Sequence, residues 1–483
     1  MLDEIKKTKL QKLENLCAAG MEAYPEKTKR SATNQEAQDG FSKLRGKKLN
    51  LAGRIRSFRP MGGSTFAHLE DESGKIQIFL NQKKIGKEKY KLFVENIEIG
   101  DFIEAQGKLF KTKTREITLD VSGWKILAKS LAPVPTEYFG LKDTEKLLRH
   151  RYLDLMMNPE TRELFRKKNL FWQTIRDFLR REGFLEVQTP VFENIPGGAD
   201  AEPFVTHHHA LRRDYYLRIS LELPLKKLLV GGYEKVFEIG RVFRNEGIDR
   251  EHLQEYYMVE YYEAYADLEK GIKLVEKLYK EVVKKVCGKM EIEHEGKKIK
   301  WGGRWERKDY FSLFRRETGI DLERGVTLQD LRKKAEEAGL RYEKSYGKGR
   351  MIDLIFKKII RPKITQPCFL TGHPIEVSPL AKRDPKNPKK VLRVQVIAGG
   401  TELGNGFSEL NDPIDQRARF EEQMKLRAAG DREAQQLDEE YIEAMEYGMP
   451  PAFGMGLSER FFAFLMGKSV RETVIFPPMR EAR

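Results

Sequence analysis

Residues 49–127 contain five short segments in which apolar and polar side chains alternate, and turns that contain glycine separate several of them. Alternation of this kind is typical of strands that bury one face and expose the other. Five strands in roughly eighty residues match the size of a small closed barrel such as an OB-fold. The segment therefore predicts a β-barrel near the N-terminus.

Two stretches of different composition flank this segment. Residues 1–22 place leucine and isoleucine at helical spacing before Gly20, which predicts a helix within a polar N-terminal extension. Residues 131–143 are rich in proline and predict a linker. We therefore expect four parts: a helical extension at 1–45, the OB-fold at 46–130, the linker at 131–143 and a larger domain at 144–483.

The larger domain mixes strands and helices without the regular alternation that predicts a parallel sheet. Hairpins are expected at 235–263 and at 391–410, and the second turns at Gly399-Gly400, a favoured two-residue turn. Further elements are helices at 161–182, 413–447 and 457–467 and a last strand in TVIFP near the C-terminus. The pattern predicts an α+β fold in which an antiparallel sheet is flanked by helices.

Charge and cysteine content narrow the class of protein. The net charge is +15, of which +9 lies in the first 150 residues, so a polyanion such as nucleic acid or an anionic membrane surface is a candidate partner. The three cysteines are far apart and form no C-x-x-C pair, which argues against a disulfide framework or a cysteine-based zinc site. No apolar run approaches the roughly 18 residues of a spanning helix, and MLDEIKKTKL does not resemble a signal peptide. We expect a cytoplasmic protein with no membrane partner.

The hairpin at 235–263 carries the most chemical information. Because side chains alternate along a strand, one face of its second strand carries Tyr256, Met258, Glu260 and Tyr262. A carboxylate on a half-buried face indicates a cationic ligand, whereas Arg244 can hold a phosphate or carboxylate through two parallel hydrogen bonds. An edge hairpin with structural ion pairs explains the same residues, so the hairpin alone leaves both interpretations open.

Three segments together make a resemblance specific. FRNEG with a histidine five residues on, GGTELGNGFSELND at 399–412 and GMGLSER at 454–460 resemble the class II aminoacyl-tRNA synthetases. TPVFENIPGGADAEPFVTHHHAL and YLRISLELPLKKLLVGGYEKVFEIGRVFRNEG are similar to the lysyl branch of that family. The resemblance runs from about residue 8 to the end of the chain.

The resemblance implies a fold and a reaction. The barrel would bind the anticodon of lysine tRNA, and a class II catalytic domain would activate L-lysine with ATP, release pyrophosphate and transfer lysine to the tRNA 3′ end. It also implies Mg²⁺ as a cofactor and a homodimer formed through the 161–190 helix and strand. Catalysis of this kind relies on positioning and on charge stabilisation by arginines and Mg²⁺ rather than on a protein nucleophile.

The same resemblance assigns individual residues. ATP would be bound by Arg244, Glu246, His252, Tyr256, Glu402 and Arg460, with Arg244 and Arg460 as the catalytic arginines. Lysine would be bound by Gly198, Glu222, Arg244, Glu260, Tyr262, Asn405, Phe407 and Glu409. Mg²⁺ would be bound by Glu402, and the anticodon by Phe66, Gln77 and Glu116.

The residues themselves support the lysine assignment. A lysine side chain is an apolar stem that ends in a cation, so its pocket needs an aromatic wall and a carboxylate. Phe407 and Glu409 share strand parity and supply both. An aspartate-specific relative would need cations in those places.

Three departures from the family pattern accompany these matches. Gln395 stands where the family generally has a second carboxylate, which leaves the number of Mg²⁺ ions open. GMGLSER places its glycines differently from the usual G-x-G-x-G-x-D/E-R, with Ser458 before Glu459, although Arg460 keeps its place. Pro224 replaces a common aromatic residue.

Three other functions agree with parts of the sequence. A paralogue that lysylates a protein instead of tRNA would lack the barrel at 49–127. A synthetase fused to a membrane enzyme that makes lysyl-lipid would carry spanning helices. A nucleic-acid-binding scaffold or sensor with a decayed synthetase domain would have lost residues such as Arg244 and Glu409, which are present here.

Overall fold

The computed structural model describes residues 2–134, 143–247, 253–431 and 433–479. Most of the predicted linker at 131–143 lies outside the described residues. The chain divides into two compact units, residues 1–143 and 144–483. In the described residues, no helix combines the length and the apolar character needed to cross a membrane.

The first unit contains the predicted five-stranded closed barrel. Its strands are β1 (Leu49–Met61), β2 (Ser64–Glu70), β3 (Lys75–Asn81), β4 (Phe102–Lys111) and β5 (Ile117–Ala128), hydrogen-bonded in the order β1-β2-β3-β5-β4. Pairing of β1 with β4 closes the barrel. Alternation explains the closure, because every second residue of β1 from Leu49 to Ile55 is buried in the barrel core, while Asn50, Ala52 and Arg54 are more exposed.

Helices of the first unit pack on this barrel. They are α1 (Leu2–Ala18), α2 (Asn34–Asp39), α3 (Phe41–Leu44), α4 (Gln82–Ile85) and α5 (Lys87–Asn96). Leu16, Ala23 and Ala37 share one hydrophobic core with the barrel strands. The N-terminal extension therefore shares the barrel's core.

The second unit is built on a nine-stranded sheet. Its strands are β6 (Leu185–Glu186), β10 (Lys235–Phe243), β11 (Glu255–Ala264), β14 (Glu306–Asp309), β15 (Cys368–Pro374), β16 (Arg383–Asp384), β17 (Asn387–Ala398), β18 (Thr401–Ser408) and β19 (Ala452–Ser458). The order is β14-β15-β17-β18-β19-β11-β10-β6, with β16 paired to β17. The central strands are antiparallel as predicted, whereas β14-β15 and β10-β6 at the two edges are parallel.

Two smaller sheets and eleven α-helices complete the described part of this unit. The small strands are β7 (Phe192–Glu193), β8 (Val205–His208), β9 (Arg213–Leu217), β12 (Glu291–His294) and β13 (Lys297–Lys300). The helices are α6 (Thr144–Arg149), α7 (Arg151–Met157), α8 (Pro159–Arg181), α9 (Glu222–Val230), α10 (Leu268–Cys287), α11 (Tyr310–Thr318), α12 (Leu328–Glu337), α13 (Lys348–Ile355), α14 (Pro413–Ala428), α15 (Glu439–Glu446) and α16 (Arg460–Met466). A π-helical turn, Phe356–Ile360, continues α13.

Helix α8 shows how the sequence pattern places a helix on the sheet. Phe171, Ile175, Phe178 and Leu179 recur at helical spacing, and all four are buried in the same core cluster as Val259 of β11. Both predicted hairpins are present as β10-β11 and β17-β18. Gly399 and Gly400 adopt φ of 56° and 77°, the positive values that a type I′ turn requires.

The predicted last strand in TVIFP is wrong. The segment begins in a 3₁₀ turn, Val470–Thr473, which a capping box between Ser469 and Glu472 stabilises. The Arg151 guanidinium then donates hydrogen bonds of 3.0 Å to the carbonyl oxygens of Glu472, Val474 and Ile475. A buried arginine thus takes the acceptors that a neighbouring strand would have used.

Candidate active site

A cavity of about 530 Å³ opens on the central strands of the second unit. Strands β11, β17, β18 and β19 form its floor, and the start of α9 and residues of α13 contribute to its walls. The predicted face of β11 is present, because Tyr256, Met258, Glu260 and Tyr262 all line this cavity. The alternation in the sequence therefore brings the four side chains together as expected.

Glu260 is a fully hydrogen-bonded carboxylate. Its Oε1 accepts hydrogen bonds from the Ser220 hydroxyl at 2.6 Å and from the Leu221 backbone N–H at 2.9 Å. Its Oε2 accepts the hydroxyl proton of Tyr262 at 2.7 Å. Because Tyr262 donates its proton to Glu260, the lone pairs of its oxygen remain available to accept a hydrogen bond from a ligand cation.

Glu409 lies at the bottom of the cavity and is 1% exposed. Its Oε1 has no hydrogen-bond partner among the described residues. Its Oε2 forms an ion pair with the ammonium of Lys226, which also pairs with Glu222. The aromatic ring of Phe407 lies 5.2 Å from the Lys226 nitrogen. The predicted aromatic wall and carboxylate are therefore side by side.

Lys226 is a residue at this end of the cavity that the sequence did not single out. It sits one helical turn after Glu222 on α9, and its side chain is completely buried. Burial alone would lower the pKa of Lys226, but the charges of Glu222 and Glu409 hold it above its ordinary value. Burial raises the pKa of Glu222 to about 7 and that of Glu409 well above its usual range, while the charge of Lys226 opposes both shifts.

At two glycines of the cavity, neighbouring side chains lie so close to the backbone that a Cβ atom would not fit. Gly198 has φ of +82°, and a Cβ there would lie 2.8 Å from the Cβ of Glu222 and 2.9 Å from the Ser220 hydroxyl. A Cβ on Gly454 would overlap Oε1 of Glu409 and the ring of Tyr262. The glycines of the unusual last motif thus face the cavity and leave room for its carboxylate end.

Asn405 lines the cavity on β18. Its side-chain oxygen accepts a 2.7 Å hydrogen bond from Nε of Arg393, a residue that the sequence did not single out. Arg393 is held in turn by the carbonyl of Val377 and the hydroxyl of Ser378. With its oxygen occupied, Asn405 presents its NH₂ group to the cavity, which suits a carboxylate ligand.

The other end of the cavity carries two arginines. Arg244 and Arg460 both line it, and the guanidinium of Arg244 lies 5.5 Å from the ring of Tyr256. Burial raises the pKa of Tyr256, and the positive charges of Arg244 and Arg460 oppose that rise. Glu246 lines the same region. His252, the remaining predicted ATP residue, lies outside the described residues.

The predicted Mg²⁺ ligand, Glu402, also lines the cavity and lies opposite Ile397 in the β17-β18 hairpin. Gln395 is 9% exposed, and its amide oxygen is 3.1 Å from Nε2 of His373. In the part of the chain that the structure describes, no three His, Cys, Asp or Glu side chains are grouped so that they could hold a metal ion. One carboxylate and one neutral amide fit a hydrated Mg²⁺ that takes most of its ligands from phosphate and water.

The predicted anticodon residues lie together on the barrel. Oε2 of Glu116 accepts a 2.8 Å hydrogen bond from the Gln77 amide, and Oε1 lies 3.2 Å from Nε2 of His68. The ring of half-buried Phe66 lies 4.7 Å from that of Phe79. His68 and Phe79 extend the predicted set, and the β2-β3 register, which pairs His68 with Gln77 and Phe66 with Phe79, is what identifies them.

Comparison with known proteins assigns the class. The family of tRNA synthetases class II (D, K and N) matches residues 143–480, and an OB-fold nucleic acid binding domain matches residues 49–127. The chain belongs to the class II tRNA synthetases of this group. The predicted fold class, an OB-fold barrel followed by a class II catalytic domain, is thereby confirmed.

Curated relatives of similar length match the whole chain. The lysine–tRNA ligase of Carboxydothermus hydrogenoformans is 45% identical over 481 residues, which cover 99% of this chain and 98% of that protein. The lysine–tRNA ligases of Roseiflexus castenholzii and Syntrophomonas wolfei are each 43% identical and cover 99% of this chain and 99% and 97% of their own lengths.

Proposed function

We propose that the protein is a lysine–tRNA ligase, which activates L-lysine with ATP and transfers it to the 3′ end of lysine tRNA. The observation that carries this proposal is the end of the cavity at Glu409. A buried carboxylate oxygen without a partner lies there beside Phe407 and the acceptor oxygen of Tyr262. This combination suits an aliphatic stem that ends in an ammonium group.

The remaining groups fit the rest of the amino acid. Glu222 and the backbone at Gly198 would receive the α-ammonium, and the amide NH₂ of Asn405 would receive the carboxylate. Arg244 lies on the side of the cavity where this carboxylate would meet ATP. The lysine would thus be held at both ends, which fixes its carboxylate for in-line attack.

In the reaction, a lysine carboxylate oxygen attacks the α-phosphorus of ATP, and the bond to pyrophosphate breaks. Arg244 and Arg460 would stabilise the negative charge on the phosphoryl oxygens, and Tyr256 and Glu246 would hold the nucleotide. His252 would complete the nucleotide site. A ribose hydroxyl at the tRNA 3′ end then attacks the lysyl carbonyl, and AMP leaves.

Class II synthetases use ATP together with Mg²⁺. Mg²⁺, when bound, neutralises charge on the triphosphate and on the leaving pyrophosphate. Glu402 would hold it directly, and the amide oxygen of Gln395, which lines the same cavity, is a candidate for a second protein ligand. Because only one of the two side chains is charged, we propose fewer strongly bound ions than a pair of carboxylates would hold.

Glu409→Gln tests the lysine assignment. The variant removes one negative charge at nearly constant volume, so lysine-dependent exchange of pyrophosphate into ATP should be lost. The protein should remain folded because Lys226 keeps its ion pair with Glu222. Glu440→Gln is the matched control, because Glu440 is an exposed partner of Lys227 on the surface. Exchange by Glu409→Gln with an unchanged KM for lysine would refute the proposal.

We further propose that tRNA is the acceptor of the lysyl group. A nucleic-acid-binding barrel at 46–130, with Phe66, Gln77 and Glu116 grouped on it, favours a tRNA over a protein acceptor. Charging of a tRNA with a UUU anticodon, compared with lysylation of an elongation factor, separates the two. With ATP, tRNA and lysine as substrates, we propose the cytoplasm as its location.

A homodimer is the oligomeric state that we propose. The segment after α8 exposes apolar side chains, with Leu185 47%, Phe192 58% and Val205 58% exposed. Exposed apolar side chains close together are typical of a subunit interface. Sedimentation equilibrium should give twice the chain mass for the parent protein and a smaller value for Phe192→Asp.

A further inference from the structure

The ammonium of Lys226 is buried behind the groups that are expected to receive the substrate lysine. It lies between the carboxylates of Glu222 and Glu409 and 5.2 Å from the ring of Phe407. The ring of Tyr262 is 6.0 Å from the same nitrogen. The chain therefore holds one of its own lysines against the groups that are expected to receive the amino acid.

The charges of the buried groups in this part of the cavity can be counted and compared with those of the substrate. Three buried carboxylates, Glu222, Glu260 and Glu409, line the amino-group side of the cavity, and Lys226 contributes one positive charge among them. When all three carboxylates are ionised, as they are once a cationic ligand is bound, two negative charges remain after the charge of Lys226 is subtracted, and L-lysine carries two ammonium groups. Arg393 lies beyond Asn405, on the side where the substrate carboxylate is expected.

We propose that Lys226 is a positioning residue that fixes the carboxylates of Glu222 and Glu409 and sets the pocket for a ligand with two ammonium groups. This inference rests on the proposed function and adds a determinant of its specificity. Lys226 holds Oε2 of Glu409, so that Oε1 remains as the acceptor for the substrate. A pocket with three carboxylates and no internal cation would take up a proton instead, and a protonated carboxyl no longer selects a cation.

The groups that surround Lys226 make the prediction specific. Glu222 comes from the same helix, and the charged or titratable groups that face it from other elements are Glu260, Tyr262, Glu409 and Tyr441. The positive charge of Arg393 also acts on Glu222 from β17, whereas Lys226 forms ion pairs with both Glu222 and Glu409. Removal of Lys226 should therefore raise the pKa of the remaining carboxyls, and lysine should then bind well only at higher pH.

Lys226→Met and Lys226→Gln test the proposal, with Lys227→Met as the matched control. Lys227 is the next residue on α9, but its side chain is only half-buried and its ammonium pairs with the exposed Glu440. In pyrophosphate exchange, the KM for lysine should rise about 30-fold or more in both Lys226 variants, because a buried charge pair is broken. The KM for ATP should stay within about twofold, since Arg244 and Arg460 are untouched.

Two readouts separate positioning from a merely structural role. Discrimination between L-lysine and its neutral analogue 6-hydroxynorleucine should fall at least tenfold in the Lys226 variants, and the midpoint of the pH profile of lysine KM should move to higher pH. Lys226→Gln keeps hydrogen-bond donors without the charge, so it isolates the contribution of the charge. The control should match the parent protein in all of these measurements.

Several results would overturn the proposal. An unchanged lysine KM in a folded Lys226→Gln protein would show that the charge is not needed, and a lower KM would show that Lys226 only competes with the substrate. If neither single variant folds, Lys226→Met combined with Glu222→Gln removes one charge of each sign and should restore folding and preference for lysine over 6-hydroxynorleucine. A folded double variant without that preference contradicts the charge count. Absence of lysine-dependent exchange in the parent protein would instead refute the proposed function.

Discussion

The hydroxyl group of Tyr262 donates a 2.7 Å hydrogen bond to Oε2 of Glu260, two residues earlier on the same face of β11. The other oxygen of Glu260 is already bonded to Ser220 and to the backbone of Leu221. The donor and the acceptor of each hydrogen bond in this network are therefore fixed. The Tyr262 oxygen is left as an acceptor that points into the cavity, which a substrate ammonium can use.

Tyr262→Phe should weaken lysine binding without unfolding the protein. The variant removes the acceptor and leaves one oxygen of Glu260 without its donor, a loss of about 1–3 kcal/mol. The KM for lysine in pyrophosphate exchange should rise by roughly 5-fold to 150-fold, and the KM for ATP should not change. Tyr265→Phe is the control, because Tyr265 is 69% exposed and lies next to β11. A Tyr262→Phe protein with the lysine KM of the parent would exclude Tyr262 from the site.

The glycines of the last motif lead to a second prediction. A Cβ on Gly454 would overlap both Glu409 and Tyr262, whereas a Cβ on Gly456 would meet Glu260 at 3.3 Å. We expect Gly454→Ala to displace the Glu409 carboxylate and to reduce lysine-dependent exchange at least tenfold. Gly456→Ala should have a smaller effect, because a contact of that length needs only a slight adjustment. Equal activity of the two variants would contradict this account of the motif.

Strand parity made much of this site predictable. The shared face from Tyr256 to Tyr262 and the pairing of Phe407 with Glu409 both follow from alternation along a strand. The role of Lys226 could not be predicted from the sequence, because a glutamate and a lysine one turn apart usually form a solvated surface pair. Only the packing of α9 beneath the sheet buries that pair. The contact of Arg393 could not be predicted for a similar reason, since it reaches Asn405 across the β17-β18 hairpin.

The same burial predicts how lysine binding depends on pH. Burial raises the pKa of Glu222 to about 7, so below that pH its carboxyl is increasingly protonated in the free protein. The α-ammonium of lysine pairs only with the ionised form, and binding must then release the proton. Glu409, whose pKa burial raises well above its usual range, adds to the same trend. The KM for lysine should therefore rise as pH falls, and each carboxyl contributes at most about tenfold per pH unit. Pyrophosphate exchange between pH 6 and 8.5 measures this profile. Glu222→Gln should show a high KM and a shallower pH dependence, since only Glu409 then contributes, and a flat profile in the parent protein would contradict the role given to Glu222.

Substitution of the barrel residues should affect transfer of lysine to tRNA but not activation of lysine with ATP. Phe66, Gln77 and Glu116 lie on the first unit, whereas every residue that lines the activation cavity belongs to the second. If Phe66 stacks on an anticodon base, Phe66→Ala loses about 1–3 kcal/mol of tRNA binding, so kcat/KM for tRNA should fall roughly 5-fold to 150-fold. Pyrophosphate exchange, which needs no tRNA, should keep its parent rate. Phe102→Ala is the matched control, because Phe102 is a half-buried barrel residue whose ring packs against Arg54. A Phe66→Ala protein that charges tRNA as efficiently as the Phe102→Ala protein would remove Phe66 from anticodon recognition, whereas a loss of exchange activity would show that the substitution disturbs the catalytic unit.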